Sequence, residues 1–179
     1  LFRSMTRLVD DLLLHARAEA KGIELREEEV DLVTLLAEAL ERSLRSLPPG
    51  ATLALGQVEP LVLWADGEQL GRVIENLLVN GAIHGGEGAR VELSAFERAG
   101  ALWVQVEDDG PGIAPADQER IFLPFGRGDQ VPSVPGSGLG LALARQTVRA
   151  PGRILAVRPP PTRDERPARR PALPCLLHS

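Results

Sequence analysis

One cysteine, one lysine, one methionine and no tyrosine stand among the 179 residues of this chain. Cys175 alone closes no internal disulfide and builds no thiolate cage for a metal, and a reducing cytosolic setting is the default reading. Aromatic residues make up only 3%, which argues against a base-stacking platform for single-stranded nucleic acid. The net charge is −5, so there is no broad basic footprint for a phosphate backbone, and we expect no nucleic-acid partner. The basic residues are arginine except for Lys21. No run of 18 apolar residues occurs, and the start lacks a basic stretch followed by an apolar one. We therefore expect a cytoplasmic chain without membrane contact of its own. It opens on Leu1 rather than Met and reads as a fragment, whose full-length parent would be free to carry a membrane anchor.

What is present is an ordinary apolar content of 44%, enough for one domain with a full core and a short appendage. Residues 1–22 are the appendage. Leu1, Met5, Leu8 and Leu12 recur at spacings of four and three beside Val9, Leu13 and Ala16, which predicts a helix with a stripe for partner helices. Gly22 ends it. A weak strand signal follows over 24–30. Asp31 then caps a helix whose apolar face is Leu32, Leu35, Leu36, Ala39, Leu40, Leu44 and Leu47, stopped by Pro48-Pro49-Gly50.

Short strands are predicted over 51–55 and 61–64. The best-marked helix comes next. Asp66 is its cap, and Gln69 stands three positions later, at capping-box spacing. Leu70, Val73, Ile74, Leu77, Leu78 and Ala82 recur as they do in a helix docked on a sheet. Residues 89–96 and 101–106 alternate apolar and polar and predict an antiparallel hairpin. A Gly- and Pro-punctuated loop, 107–138, precedes a helix over 139–149 and a strand over 153–157; loops this long inside a compact domain are usually functional. Residues 158–179, rich in Pro and Arg, show no usable periodicity and are expected to be an irregular or disordered tail.

Four short patterns carry chemistry. Asn76 and Asn80, four residues apart, lie on one helix face about 6 Å apart along the axis, with His84 continuing the line. Two carboxamides can offer oxygens to a hard cation or hydrogen bonds to a nucleotide, or be tolerated surface residues. Asp108-Asp109-Gly110-Pro111-Gly112 follows a strand directly. A carboxylate there can accept from an exocyclic amine such as that of adenine, and glycines let the backbone pass close to a ring; a plain turn uses the same residues.

Gly136-Ser137-Gly138-Leu139-Gly140-Leu141 runs into a helix, where free backbone N–H groups cradle phosphate. Its spacing is neither a dinucleotide fingerprint nor a Walker A loop. Finally, Phe122 and Phe125 flank Pro124 in the long loop, as a small satellite core or a surface turn, with Arg127 placed to meet a phosphate.

Singly each pattern has an ordinary structural reading; their order is specific. N-x-x-x-N on a helix, D-x-G-x-G after a strand, F-x-x-F in a loop and G-x-G-L-G-L opening a helix resemble the four boxes of the sensor histidine kinase catalytic domain, within the GHKL superfamily. The resemblance covers residues 31–157. The stretch from Met5 to Leu14 is similar to the second helix of that family's dimerisation hairpin.

The resemblance implies the Bergerat fold, an α/β two-layer sandwich with a mixed, largely antiparallel sheet packed on helices. Residues 23–157 would form the catalytic domain, with an ATP lid at 113–137. ATP and Mg²⁺ are the implied cofactors. Asp108 would recognise adenine and Gly110 and Gly112 would allow its close approach. Asn80 would hold magnesium with Asn76 assisting, His84 would flank the base or ribose, and Gly138, Leu139 and Gly140 would hold the phosphates. The implied activity is transfer of the ATP γ-phosphoryl group to a histidine outside this fragment, on a dimerisation hairpin. A response regulator is the implied downstream partner and a homodimer the implied full-length state.

Relatives that hydrolyse ATP carry a Glu at the Asn76 position as general base. An amide cannot take that role, and Glu75 points about 100° away around the helix. A nucleotide-sensing adaptor without kinase activity and a GHKL-type ATPase are the alternatives. Departures from the family pattern are Ile83, where a Lys often contacts phosphate, the Ala150-Pro151-Gly152-Arg153 stretch, and the unrecognisable final strand. Arg127 is the candidate replacement charge for the missing Lys. His15 is followed by Ala16 on what resembles the second hairpin helix, so it is rejected as phosphoacceptor.

Overall fold

A computed structural model of the chain describes residues 26–98, 101–114, 116–126, 138–148, 153–155 and 172–177. The helix expected over 1–22, with His15, lies outside the described residues, as do Arg127 and the second part of the expected lid, 127–137. Strand β1 (Glu28–Asp31) pairs antiparallel with β3 (Val62–Ala65), Glu28 opposite Ala65 and Asp31 opposite Val62. Asp31 ends the strand and caps helix α1 (Leu32–Leu44), its Oδ1 accepting from the Thr34 N–H at 2.7 Å. Leu32, Leu35, Leu36 and Ala39 of α1 are buried. The helix closes before Leu47, in a turn where the Ser46 N–H donates to the Ser43 carbonyl.

Helix α2 (Gly67–His84) follows β2 (Thr52–Val58) and β3. Asp66 caps it through Oδ1, 2.9 Å from the Gln69 nitrogen, and its Oδ2 takes the Arg26 N–H at 3.0 Å. The predicted stripe, Leu70, Val73, Ile74, Leu77, Leu78 and Ala82, is buried in full. Each Leu, Val or Ile of the stripe contributes about 1.5–3 kcal/mol on leaving water, so this stripe, more than local propensity, holds α2 in place.

The hairpin β4 (Arg90–Arg98) and β5 (Ala101–Asp108) forms as the alternation predicts, with Val91 opposite Asp108 and Arg98 opposite Ala101. Val91, Leu93, Ala95, Leu102, Val104 and Val106 face the core, and Phe96 and Trp103 stack on the other face, 6.4 Å between ring centres. Among the described residues the main sheet has five strands in the order β2-β4-β5-β7-β6, where β6 is Arg153–Leu155 and β7 is Ala172–Leu177, with β2 parallel to β4 and the other pairs antiparallel. Helix α3 (Gly140–Val148) leads to β6 (Arg153–Leu155). The core lies between the inner sheet face and the helices. This is the two-layer α/β arrangement that the motif order implied. Among the described residues no helix is long and apolar enough to cross a membrane.

One expectation is corrected. Residues 158–179 are not irregular throughout, because Ala172–Leu177 forms β7, inserted between β5 and β6. Leu102 lies opposite Leu177 and Glu107 opposite Ala172. Pro174 sits opposite Gln105 and has no N–H to give to the ladder, which is why the local pattern does not read as a central strand. Pairing with β5, some seventy residues earlier in the chain, supplies what the local sequence lacks.

Candidate functional site

The C-terminal half of α2 is where the separate motifs meet. Asn76 and Asn80 are half-buried on it, one turn apart. The first residue of α3, Gly140, lies against Asn76, close enough that a methyl group built on it would sit 3.4 Å from the Asn76 Cγ and Oδ1 atoms. About five residues further along α2, roughly 7.5 Å along the axis, Gly81 meets the end of β5. A methyl on Gly81 would stand 3.3 Å from the Val91 side chain and 3.5 Å from the Asp108 Cβ. The glycine turn and the acidic residue therefore meet α2 one level apart and about 140° round the axis, with Asn80 between them.

Asp108 is held partly out of water, and its Oδ1 accepts the Gly110 N–H at 2.9 Å. Burial raises its carboxyl above the usual carboxylate range. The Gly110 N–H opposes that rise, the Asp109 charge adds to it, and His84 opposes it. His84 is exposed at the last turn of α2, within electrostatic reach of Asp108. Asp109 has a different job. Its Oδ1 accepts the Arg90 N–H at 2.9 Å and its own N–H donates to the Arg90 carbonyl, which locks the mouth of the hairpin.

The two glycines of the Asp108 motif are not equivalent. A methyl on Gly110 would fall 2.6 Å from the Gly85 Cα and 2.7 Å from the Asp108 Oδ1, so Gly110 makes room for protein backbone and for the carboxylate itself. Gly112 has φ +79°, and among the described residues nothing lies within 4 Å of a methyl built on it. Among the described residues Gly112, and not Gly110, thus leaves space of the kind expected of both.

The F-x-x-F pair divides. Phe122 in the short 3₁₀ turn Arg120–Phe122 is 7% exposed, with the Arg145 guanidinium 5.2 Å over its ring, and Arg145 also reaches Glu119 at 3.2 Å. Phe125 is 61% exposed, so the expected satellite core holds one phenylalanine rather than two. The reason is backbone geometry. Phe125 has φ +59°, its N–H donates to the Gly138 carbonyl at 2.9 Å, and this conformation turns the ring outward. Gly138, at φ +69°, lies against Phe125 so closely that a methyl on it would come 3.0 Å from the Phe125 Cα. The two ends of the 126–138 stretch are thereby tied together. Leu139 is 0% exposed, so its side chain anchors the start of α3.

Glu75 turns away from the face of Asn76 and Asn80. Its carboxylate takes the Arg42 Nε of α1, and that pairing raises the already high guanidinium pKa further. Arg42 and Gly81 did not stand out in the chain. For Gly81 a signal existed, since a glycine inside a long helix costs about 1 kcal/mol against alanine and implies a close neighbour. Arg42 has a local partner in Glu38, but Glu75 lies on another element and leaves no local trace, as does Gly110 beside Gly85.

As to cations, among the described residues no cluster of three His, Cys, Asp or Glu side chains could cage one. Two carboxamides beside a glycine turn suit Mg²⁺, which takes few protein oxygens and keeps substrate phosphates and waters as its remaining ligands.

Comparison with known proteins agrees with this architecture. Residues 65–168, more than half of the chain, match the family described as histidine kinase-, DNA gyrase B-, and HSP90-like ATPase. The chain is 37% identical over 150 residues to the sensor protein KdpD of Escherichia coli, covering 82% of this chain and 16% of KdpD. A solved structure of the mycobacterial sensor histidine kinase MprB superposes with a TM-score of 0.70 at 30% identity, covering 86% of this chain and 97% of that one. Full-length ShkA, solved in complex with AMPPNP, superposes with a TM-score of 0.74 at 28% identity over 98% of this chain and 36% of its own. The chain belongs to the histidine kinase-, DNA gyrase B- and HSP90-like ATPase family, in its sensor histidine kinase branch. It spans only about a sixth of the length of KdpD.

Proposed function

We propose that this domain binds Mg²⁺–ATP against α2 and transfers the γ-phosphoryl group to a histidine carried by a dimerisation hairpin beyond the described residues. One observation carries the reading. Asp108 and Gly140, some thirty residues apart in sequence, touch α2 at Gly81 and Asn76, on either side of Asn80. Asp108 accepts from the adenine amine and Gly112 leaves room for the ring, with His84 beside them. The backbone at Gly138, Leu139 and Gly140 takes the phosphates, as helix starts do. Asn80 with Asn76 holds Mg²⁺, whose chemistry when bound is to neutralise phosphate charge. Arg127 supplies the cation that Ile83 does not.

The protein's share of phosphoryl transfer is positioning and charge neutralisation. The site supports transfer over hydrolysis, because the Asn76 amide accepts no proton and Glu75 is committed to Arg42. A response regulator would then receive the phosphoryl group, and the full-length protein would act as a homodimer.

The test adds a separately made hairpin bearing an acceptor histidine to the domain with labelled ATP. Labelled phosphohistidine is expected, and lost with Asn80→Ala. Nucleotide binding with no transfer would establish the adaptor reading that Ile83 favours. Steady phosphate release by the domain alone would establish the ATPase.

A further inference from the structure

Helix α2 lies on the sheet through Leu70, Val73, Ile74, Leu77 and Leu78, all apolar. Such contacts are strong but non-directional, so they fix the depth of a helix better than its rotation. A small rotation would swing the Asn76 and Asn80 carboxamides off their target. Something directional has to set the angle.

The rear of the same turn carries it. Arg42, in the last turn of α1, donates from Nε to the Glu75 Oε1 and from Nη1 to the Glu38 Oε2 at 3.2 Å. Glu75 immediately precedes Asn76, and its side chain is 19% exposed against 43% for that of Arg42, so the pair is partly screened by water and salt. One turn earlier Gly71 forms a bare seat for the guanidinium. A methyl there would come 2.9 Å from the Arg42 Nη2 and 3.5 Å from the Leu35 Cδ1. About 100° round the helix from Glu75, Gly140 abuts Asn76. The turn is gripped at one point by a charge-assisted hydrogen bond and at the other by the first residue of α3.

We propose that Arg42, acting through Glu75, is a positioning residue that sets the rotation of α2 and so aims the Asn76 and Asn80 oxygens at the metal. This rests on the reading that those carboxamides serve Mg²⁺–ATP. It assigns Glu75 a part in metal binding without contact with the metal, as the outer partners of metal ligands commonly have.

The experiment titrates the whole chain with ATP, once with excess Mg²⁺ and once with EDTA, so that the Mg²⁺-dependent gain in affinity is read separately from base binding. Arg42→Met keeps the aliphatic stem and should cut that gain by about tenfold, leaving the EDTA affinity unchanged. Glu75→Gln should move it in the same direction. The double variant should be no worse than Arg42→Met alone, because both changes break one contact.

A lower melting temperature with an intact Mg²⁺-dependent gain, or losses that add in the double variant, would overturn the proposal and leave Arg42 a mere staple. Asn80→Ala separates the two levels. If it too keeps the full gain, the carboxamide reading itself fails, and the proposal with it.

Discussion

Replacing Asp108 by asparagine should pull binding and stability in opposite directions. The Gly110 N–H, 2.9 Å from Oδ1, fixes that atom as an acceptor, so an asparagine must place its carbonyl there and its NH₂ where Oδ2 was. The NH₂ group then meets the adenine amine as donor against donor. A hydrogen bond to a charged group is worth about 1.5–3 kcal/mol, or roughly 10- to 150-fold in affinity at 1.4 kcal/mol per decade. Titration calorimetry with ATP should show a loss in that range.

Stability runs the other way. Burial raises the Asp108 pKa in the folded protein, so ionisation at neutral pH opposes folding, while the Gly110 bond survives in the variant. For a group with a raised folded pKa, the associated stability is present in full below the unfolded value and is lost as pH rises through the folded one. The nucleotide-free variant should therefore melt no lower than wild type near pH 7. Its advantage should shrink as acid protonates Asp108 in the wild type. A variant that binds ATP normally refutes the adenine role; one that melts lower at pH 7 than at pH 4, relative to wild type, refutes the electrostatic argument.

Three further outcomes are expected. Gly110→Ala forces a methyl to 2.6 Å from the Gly85 Cα, and backbone cannot yield as a side chain does; overpacking of this kind costs about 1–3 kcal/mol, visible in a urea melt, and displaces Asp108 enough to weaken nucleotide binding as well. Leu139→Ala empties a fully buried position at the start of α3, for a loss of about 2–5 kcal/mol by the same method, and an unchanged midpoint would show that α3 is not anchored there. Asp66→Ala removes the acceptor for both the Gln69 and Arg26 N–H groups and should cost about 1 kcal/mol, with faster amide exchange confined to the first turn of α2 and the start of β1; uniform exchange would contradict the capping role.

How much of this was legible in the chain depends on the range of the forces involved. Helix α2 was legible nearly to the residue, because its cap, its stripe and its closing Gly85 are all local. The β4–β5 hairpin was too, since strict alternation survives in both strands. The ends of α1 and of the short strands shifted by a few residues, where turns compete with periodicity. Strand β7 was not legible, because Pro174 spoils its pattern and its stability comes from β5. The outward turn of Phe125 depends on a positive φ and a bond to Gly138, neither of which a side-chain pattern records.

The amino-acid order alone determined which side chains are available for chemistry and on which elements they ride. Carboxamides four apart on a helix, a carboxylate at a strand end and a glycine turn opening a helix follow from periodicities of a few residues. Tertiary structure decided which of these meet and which are spent elsewhere. Gly140 reaches Asn76, Gly81 admits Asp108, Gly110 yields to Gly85 rather than to a ligand, and Glu75 is claimed by Arg42. Each of those outcomes is a contact between elements far apart in the chain, set by the packing of α1, α2 and α3 on one sheet, and no local pattern carries information about a neighbour that only folding supplies.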